Sequence, residues 1–537
     1  MSKTSLFLGL ALALPCWAGA QFGNLQLNAE ERHWYENSLL RDSHTVHTAI
    51  RPWRRAEIEP HSRRGELLPD SAAFSPGLWQ WVGRKLWRED FLRAEGDNFA
   101  FTLNPVAVFS YGQDAEASYS NTFRNSRGAR LELALGKHVT AYSTLVETQA
   151  RLPWHVTQFV RSNRGVVPGY WLSKGFRNSA RDYAYAAGEV AYTPNELFHF
   201  RLGHGKHFLG EGHRSMLISD NSVNYPFFTI ETTFWKIKYV NTWAVLNDLR
   251  DSLQIGSVYA KKYLSMHYLS ANIGKRQRLN IGLFEGLMWG DELNRYGFDI
   301  NFLNPVILYR PVEFAQGFDG GNILMGLNAS YRLPYGIMAY GQMALDEFNF
   351  AAIRNWSEGS WLNMMAWQAG LKWGDALGVR NLFLRAEYNL ARPHTYSHRE
   401  ILTNWGHYNQ ALAHPWGANF EEILFQLDYR YRRWQFQGAF HHGRLGRDGR
   451  GENWGGNIFK SFDTRSADTG VFIGQGVEGR LTYWKAELSF LFNPVYNLRL
   501  QAGYRSREET SAEGGWPNSR YAFFGLRTNV YASYQDF

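Results

Sequence analysis

The chain has 537 residues, of which 16% are aromatic and 20% charged, with 51 glycines, 17 prolines and a net charge of +8. A mean hydropathy of −0.40 excludes a bundle of membrane-spanning helices, and the aromatic content excludes a disordered chain. Abundant aromatics and glycines without long apolar runs fit a transmembrane β-barrel, whose strands alternate and whose rims carry aromatic girdles.

Residues 1–20 read as a signal peptide. Lys3 is the positive n-region, Leu6 to Leu14 a short apolar region, and Ala18-Gly19-Ala20 a small-residue cleavage site. The apolar run is too short to span a bilayer, and Pro15 before Cys16 argues against a lipoprotein. Cys16 is the only cysteine, so cleavage leaves a chain with no disulfide or thiolate metal site. An exported chain with no long apolar stretch is periplasmic, secreted or an outer-membrane barrel. Its basic balance suits anionic polysaccharide or lipid headgroups. Export argues against nucleic acid.

Asn28-Ala29-Glu30-Glu31 resembles a capping box opening a short helix to about Leu40. The polar stretch from Arg51 to Pro69 is irregular, so residues 21–95 read as a periplasmic helix and an arm or plug-like piece. From about Phe99 the period becomes two. Leu131–Leu135, Trp235–Tyr239 and Leu382–Tyr388 alternate, and Phe425-Gln426-Leu427-Asp428-Tyr429-Arg430-Tyr431 has one apolar face and one polar face. Residues 96–537 therefore read as an all-β outer-membrane barrel of about 18 antiparallel strands. The ending, Arg527 to Phe537, reads as an alternating final strand with a terminal Phe of the kind that barrel-assembly machinery recognises. Short turns at Arg432-Arg433 and Pro334-Tyr335-Gly336 belong in the periplasm. Long connections, among them 150–181, 203–226, 355–360, 392–418 and 444–474, belong outside.

Gly203 to Ser215 is dense in Gly and His. His204, His207, Glu211 and His213 offer imidazole and carboxylate ligands, but their spacing matches no zinc signature, so hydrogen bonding inside the barrel is expected and no metal or other cofactor. Arg214, Asp220, Asn221, Tyr225 and Trp235 suit a polar ligand surface, because Arg and Asn reach sugar hydroxyls and carboxylates and aromatic faces stack on pyranose rings. A second cluster holds Arg392, His394, Tyr396, His398, His407, Tyr408 and Asn409. Ser397 beside His398 invites a lipase-like pairing, yet neighbours in an extended chain point apart, as do Asp346 and Glu347. No catalytic residue is expected.

Four stretches, Gly203 to Pro226, Arg310-Pro311-Val312-Glu313-Phe314, Tyr340 to Phe348 and Arg392 to Phe420, resemble the RemB-like gliding-motility proteins. Those belong with the wider Wzi-like capsule-assembly family. The resemblance runs from about Arg51 to the C-terminus. It implies an 18-stranded outer-membrane barrel and either a lectin-like hold on capsular or exopolysaccharide or a surface role in motility or secretion through protein partners. It assigns no binding residue position by position. An outer-membrane hydrolase and a porin are the remaining alternatives.

Overall fold

The computed structural model describes residues 23–41, 44–67, 78–119, 121–177, 179–254, 258–290, 297–298, 300–306, 321–347, 356–511, 515–528 and 534–537. The signal peptide and the Arg310–Phe314 motif lie outside them. A closed antiparallel barrel of 18 long strands forms the wall. In chain order these are β1 (Phe99–Asp114), β2 (Thr122–Leu135), β3 (Val139–Arg151), β4 (Ala180–Tyr192), β5 (Phe198–Gly205) and β6 (Tyr225–Phe234). Then come β7 (Ile237–Asp248), β8 (Ala260–Ile273), β9 (Leu279–Gly290), β10 (Asn322–Arg332), β11 (Ile337–Leu345) and β12 (Met365–Gly374). The wall finishes with β13 (Leu382–Ala391), β14 (Phe420–Tyr431), β15 (Trp434–Arg447), β16 (Val477–Asn493), β17 (Leu498–Ser511) and β18 (Ser519–Arg527). β18 closes on β1, with Tyr521 opposite Asp114 and Arg527 opposite Val108. Closure pairs the backbone groups that lipid cannot satisfy. No described helix is long and apolar enough to cross a membrane.

The period-two pattern sorts the side chains. Leu145, Leu202, Phe425, Leu488 and Phe524 are exposed on the outer face, whereas Asp428, Arg430, Glu189 and Arg201 are buried within. Such a wall is an outer-membrane barrel, apolar toward lipid and polar toward the lumen. Connections alternate in length. Trp235-Lys236 and Arg432-Arg433 turn at one end, while residues 152–179, 392–419 and 448–476 connect strands at the other. The short-turn end is periplasmic and the long-connection end faces outward.

The lumen is filled. The helix α1 (Ala29–Leu39) is one residue shorter than expected. Its Trp34, Tyr35 and Leu39 join Leu25, Trp53 and Ile58 in a small apolar core. Its polar side enters the barrel, where Glu36 pairs with Arg385 at 2.8 Å and Lys372 at 3.2 Å. Through these contacts residues 24–58 enter the lumen as a plug. The barrel sheet also begins a little before residue 96, because Leu92–Gly96 pairs with the start of β1. A second plug is residues 206–224, which leave β5 and turn inward. Its Met216, Leu217 and Ile218 are fully buried with Trp405, Leu264 and Leu324. Trp405 Nε1 donates to the Leu217 carbonyl at 2.7 Å, tying in the 392–419 connection.

The chain ending departs from expectation. β18 stops at Arg527, and Thr528 Oγ1 donates back to Pro105 O at 2.9 Å. Residues 529–533 lie outside the description, while Tyr534, Asp536 and Phe537 are buried in the lumen. Phe537 sits 4.7 Å from the Phe159 ring, within an apolar cluster, rather than at the lipid-facing end of the last strand. Burying its ring there removes apolar area from water, an option that strand alternation does not reveal.

Candidate functional site

Of the sequence-selected residues, most serve the plug. Arg214 has no exposed side-chain surface and binds Glu422 and Asp536, each at 2.9 Å. Asp220 accepts from Tyr534 Oη at 2.6 Å. Tyr225 lies 3.1 Å from His207 Nδ1. Arg392 donates to the Asn363 and Val471 carbonyls, each at 2.9 Å. The His394 amide donates to Gly455 O at 3.1 Å, and Tyr396 Oη donates to Met216 O at 2.7 Å. His407 Nδ1 accepts from the Asn247 amide at 3.0 Å. These groups hold the lumen together and are withdrawn from solvent.

Trp235 is 77% exposed but sits in the two-residue β6–β7 turn, at the periplasmic end. It is therefore remote from the outward loops. His398 and Tyr408 are half-buried at the long-connection end. His398 Nδ1 meets Thr403 Oγ1 at 2.7 Å, whereas Ser397 Oγ donates to the His394 carbonyl at 2.6 Å. Ser397 and His398 thus face different partners. The four metal-suggestive residues also separate: Glu211 pairs with Lys372, His207 with Tyr225, His213 faces Asp536, and His204 Nδ1 lies 3.3 Å from Ala186 O.

Two selected residues, Asn221 and Asn409, do meet. They line a groove of about 480 Å³ at the outward end. Its aromatic wall comes from Phe159, Trp416 and Trp516. Phe159 belongs to a helix, Trp154–Ser162 (α2), in the β3–β4 connection, and Trp516 meets its ring edge-on at 5.5 Å. Trp416 Nε1 donates to Asp536 O at 3.3 Å, which fixes the indole plane. Asn457 and Lys460 from the 448–476 connection add polar contacts. Lys460 Nζ is 2.8 Å from Asp448 Oδ2. The groove thus joins fixed aromatic faces to amides and a paired cation, a set that can stack on a sugar ring and bond its hydroxyls.

Sequence reasoning passed over Trp416, Phe159 and Trp516. Trp416 lies within the stretch Arg392 to Phe420, in His414-Pro415-Trp416-Gly417, where an aromatic among Gly and Pro in a long connection is the available signal. Phe159 and Trp516 are brought in from distant connections that no local pattern relates.

No family model and no curated protein matches the sequence. Solved structures do match in shape. Wzi of Escherichia coli, described as a carbohydrate-binding β-barrel of the outer membrane involved in group 1 capsule assembly, superposes with a TM-score of 0.52 at 9% identity, over 95% of this chain and 100% of that one. OprD of Pseudomonas aeruginosa superposes with a TM-score of 0.44 at 10% identity, over 82% of this chain and 98% of that one. At 9% identity the likeness to Wzi is one of fold, and it agrees with an outer-membrane barrel.

Proposed function

We propose that this outer-membrane barrel binds surface polysaccharide through the groove between its outward connections. The observation that carries the reading is the placement of Trp416, Phe159 and Trp516 beside Asn221, Asn409 and Asn457 at the long-connection end. Aromatic faces over amide donors are the usual means of holding a neutral or acidic sugar in water. The filled lumen favours a binding role over diffusion. The carbohydrate binding named for Wzi, a protein of similar fold, gives the reading a precedent and no residue.

The test is glycan capture by purified protein in detergent, with Trp416→Ala beside it. Loss of one aromatic face is expected to weaken capture up to about tenfold while the heat-modifiable barrel band persists. Unchanged capture by the variant would remove the groove from the reading. A deletion strain that keeps its capsule but loses spreading would replace polysaccharide binding with a motility role through protein partners.

A further inference from the structure

The second cavity of interest lies inside the lumen, between the plug and the wall formed by β14–β18 and β1–β3. Its volume is about 180 Å³. Three side chains beside it resemble a metal site. His213, His441 and Asp536 offer ligand atoms within 4.8 Å of one another. His441 Nδ1 is 2.9 Å, and His213 Nε2 3.8 Å, from Asp536 Oδ2.

Charge decides against a cation. Arg214 Nη2 lies 2.9 Å from the same Asp536 oxygen and 3.5 Å from His441 Nδ1. A dication placed among these ligands would sit close to a fixed guanidinium, and repulsion at such separations is large in a lumen screened from bulk water. Farther round the wall the bias grows. Arg124, Lys485, Arg505 and Arg527 line the cavity, and Asp536 is the sole carboxylate among the described lining residues. Lys485 and Arg505 share Glu487, at 3.1 and 2.6 Å. Arg124 is oriented by neutral oxygens, Tyr170 Oη at 2.6 Å and Ser126 Oγ at 3.1 Å.

The imidazoles add a second observation. His213 and His441 are 7% and 1% exposed, and His213 Nδ1 and His441 Nε2 have no hydrogen-bond partner. A buried ring nitrogen left so costs free energy, and a neutral imidazole can place its proton on either nitrogen. A basic wall with unsatisfied imidazole nitrogens is complementary to acceptor oxygens carrying negative charge.

We propose that this luminal cavity is an oxyanion site for a carboxylate or phosphate group, free or carried on a single sugar residue. Arg151, Leu152 and Pro153 extend its lining to the start of the long 152–179 connection, on the outward side of the barrel. The site is separate from the loop groove and does not rest on the polysaccharide reading.

The experiment is calorimetric titration of the full protein in detergent with inorganic phosphate, glucuronate and glucose, ionic strength being held constant with chloride. Saturable binding of phosphate or glucuronate, and none of glucose, is expected. Phosphate alone would identify a free anion, glucuronate alone a sugar-borne carboxylate, and mutual competition one site taking both. Arg124→Gln should weaken binding about tenfold, the worth of one charged hydrogen bond. Arg124→Lys, which keeps the charge, should fall between and guards against a folding defect. The proposal is overturned if neither anion binds to protein with an intact heat-modifiable fold, if Arg124→Gln binds like the wild type, or if zinc binds instead and His441→Ala abolishes it. Loss of glycan capture with retained anion binding would sink the groove alone, and the converse would sink this site alone.

Discussion

Arg214 shows what a single residue does in this lumen. Its guanidinium is fully buried between Glu422 and Asp536. The backbone N–H groups of His213 and Arg214 donate to Glu387, at 2.8 and 3.1 Å. Each buried ion gives up several kcal/mol of hydration, so such a pair adds little net stability, but removing one partner strands the others. Arg214→Ala is expected to cost about 3–5 kcal/mol, read as a lower thermal unfolding midpoint and faster hydrogen exchange over residues 207–224. The triple variant Arg214→Met, Glu422→Gln, Asp536→Asn removes all three charges and should lose less than the single one. A single variant as stable as the wild type would show that the charges are solvated. The sequence marks Arg214 as polar and next to glycines, which suits a surface ligand equally well. Its burial depends on Glu422 and Asp536, more than 200 and 300 positions away, and no local pattern carries that.

At the scale of elements, the strands are legible and the fillings are not. Phe425 to Tyr431 alternates because one face meets lipid and the other the lumen, and that physics acts on neighbours in sequence. A connection that folds inward obeys no period. The plug 206–224 is therefore visible beforehand only as a glycine-rich run. One glycine explains part of that composition. Gly210 has φ +132 and lies against the Gln342 side chain, so an added Cβ would collide. The Gly210 carbonyl accepts from Arg51, which joins the two plugs. Of the groove, Asn221 and Asn409 were legible, whereas its aromatic wall depends on loops that meet only in the fold.

The N-terminal plug also carries a pH dependence. Burial pushes His33 down to about 4, and His44 and His47 down to about 3, from an ordinary 6.5. Burial alone would raise the Glu36 carboxyl, but Arg385, then Lys372, hold it well below 4.5. All four groups bind protons less readily in the docked plug than in the released one. Their contribution is complete above pH 6.5, drains through the imidazoles as pH falls from 6.5 toward 3, and drains through Glu36 below 4.5. Hydrogen-exchange protection factors over residues 25–58 should therefore fall from pH 7 to pH 4.5, while those of the barrel strands change less. Equal protection at both values would mean that these groups titrate in contact with water.

For the whole molecule, the two plugs act in series. The N-terminal segment closes the lumen toward the periplasm through Glu36, Arg385 and Lys372. Residues 209–218 close its middle through an apolar layer with Trp405, Phe284 and Leu264. Burial of Met216, Leu217 and Ile218 favours the closed middle by roughly 1.5–3 kcal/mol each, an uncharged contribution beside the ion pairs of Arg214 and Glu211. The apolar part of the middle closure does not titrate, so it should persist where acid loosens the N-terminal plug. In planar bilayers the intact protein should show no steady conductance. Deleting residues 23–58 should leave it closed, because the apolar layer remains. Replacing residues 207–223 by a Gly-Ser linker in that deletion should open an ohmic pore through the 18-stranded wall. Steady conductance in the first deletion alone would show that the middle layer does not seal. The lumen's closure would then depend on the acid-sensitive N-terminal plug, and conductance of the intact protein should rise between pH 7 and pH 4.5.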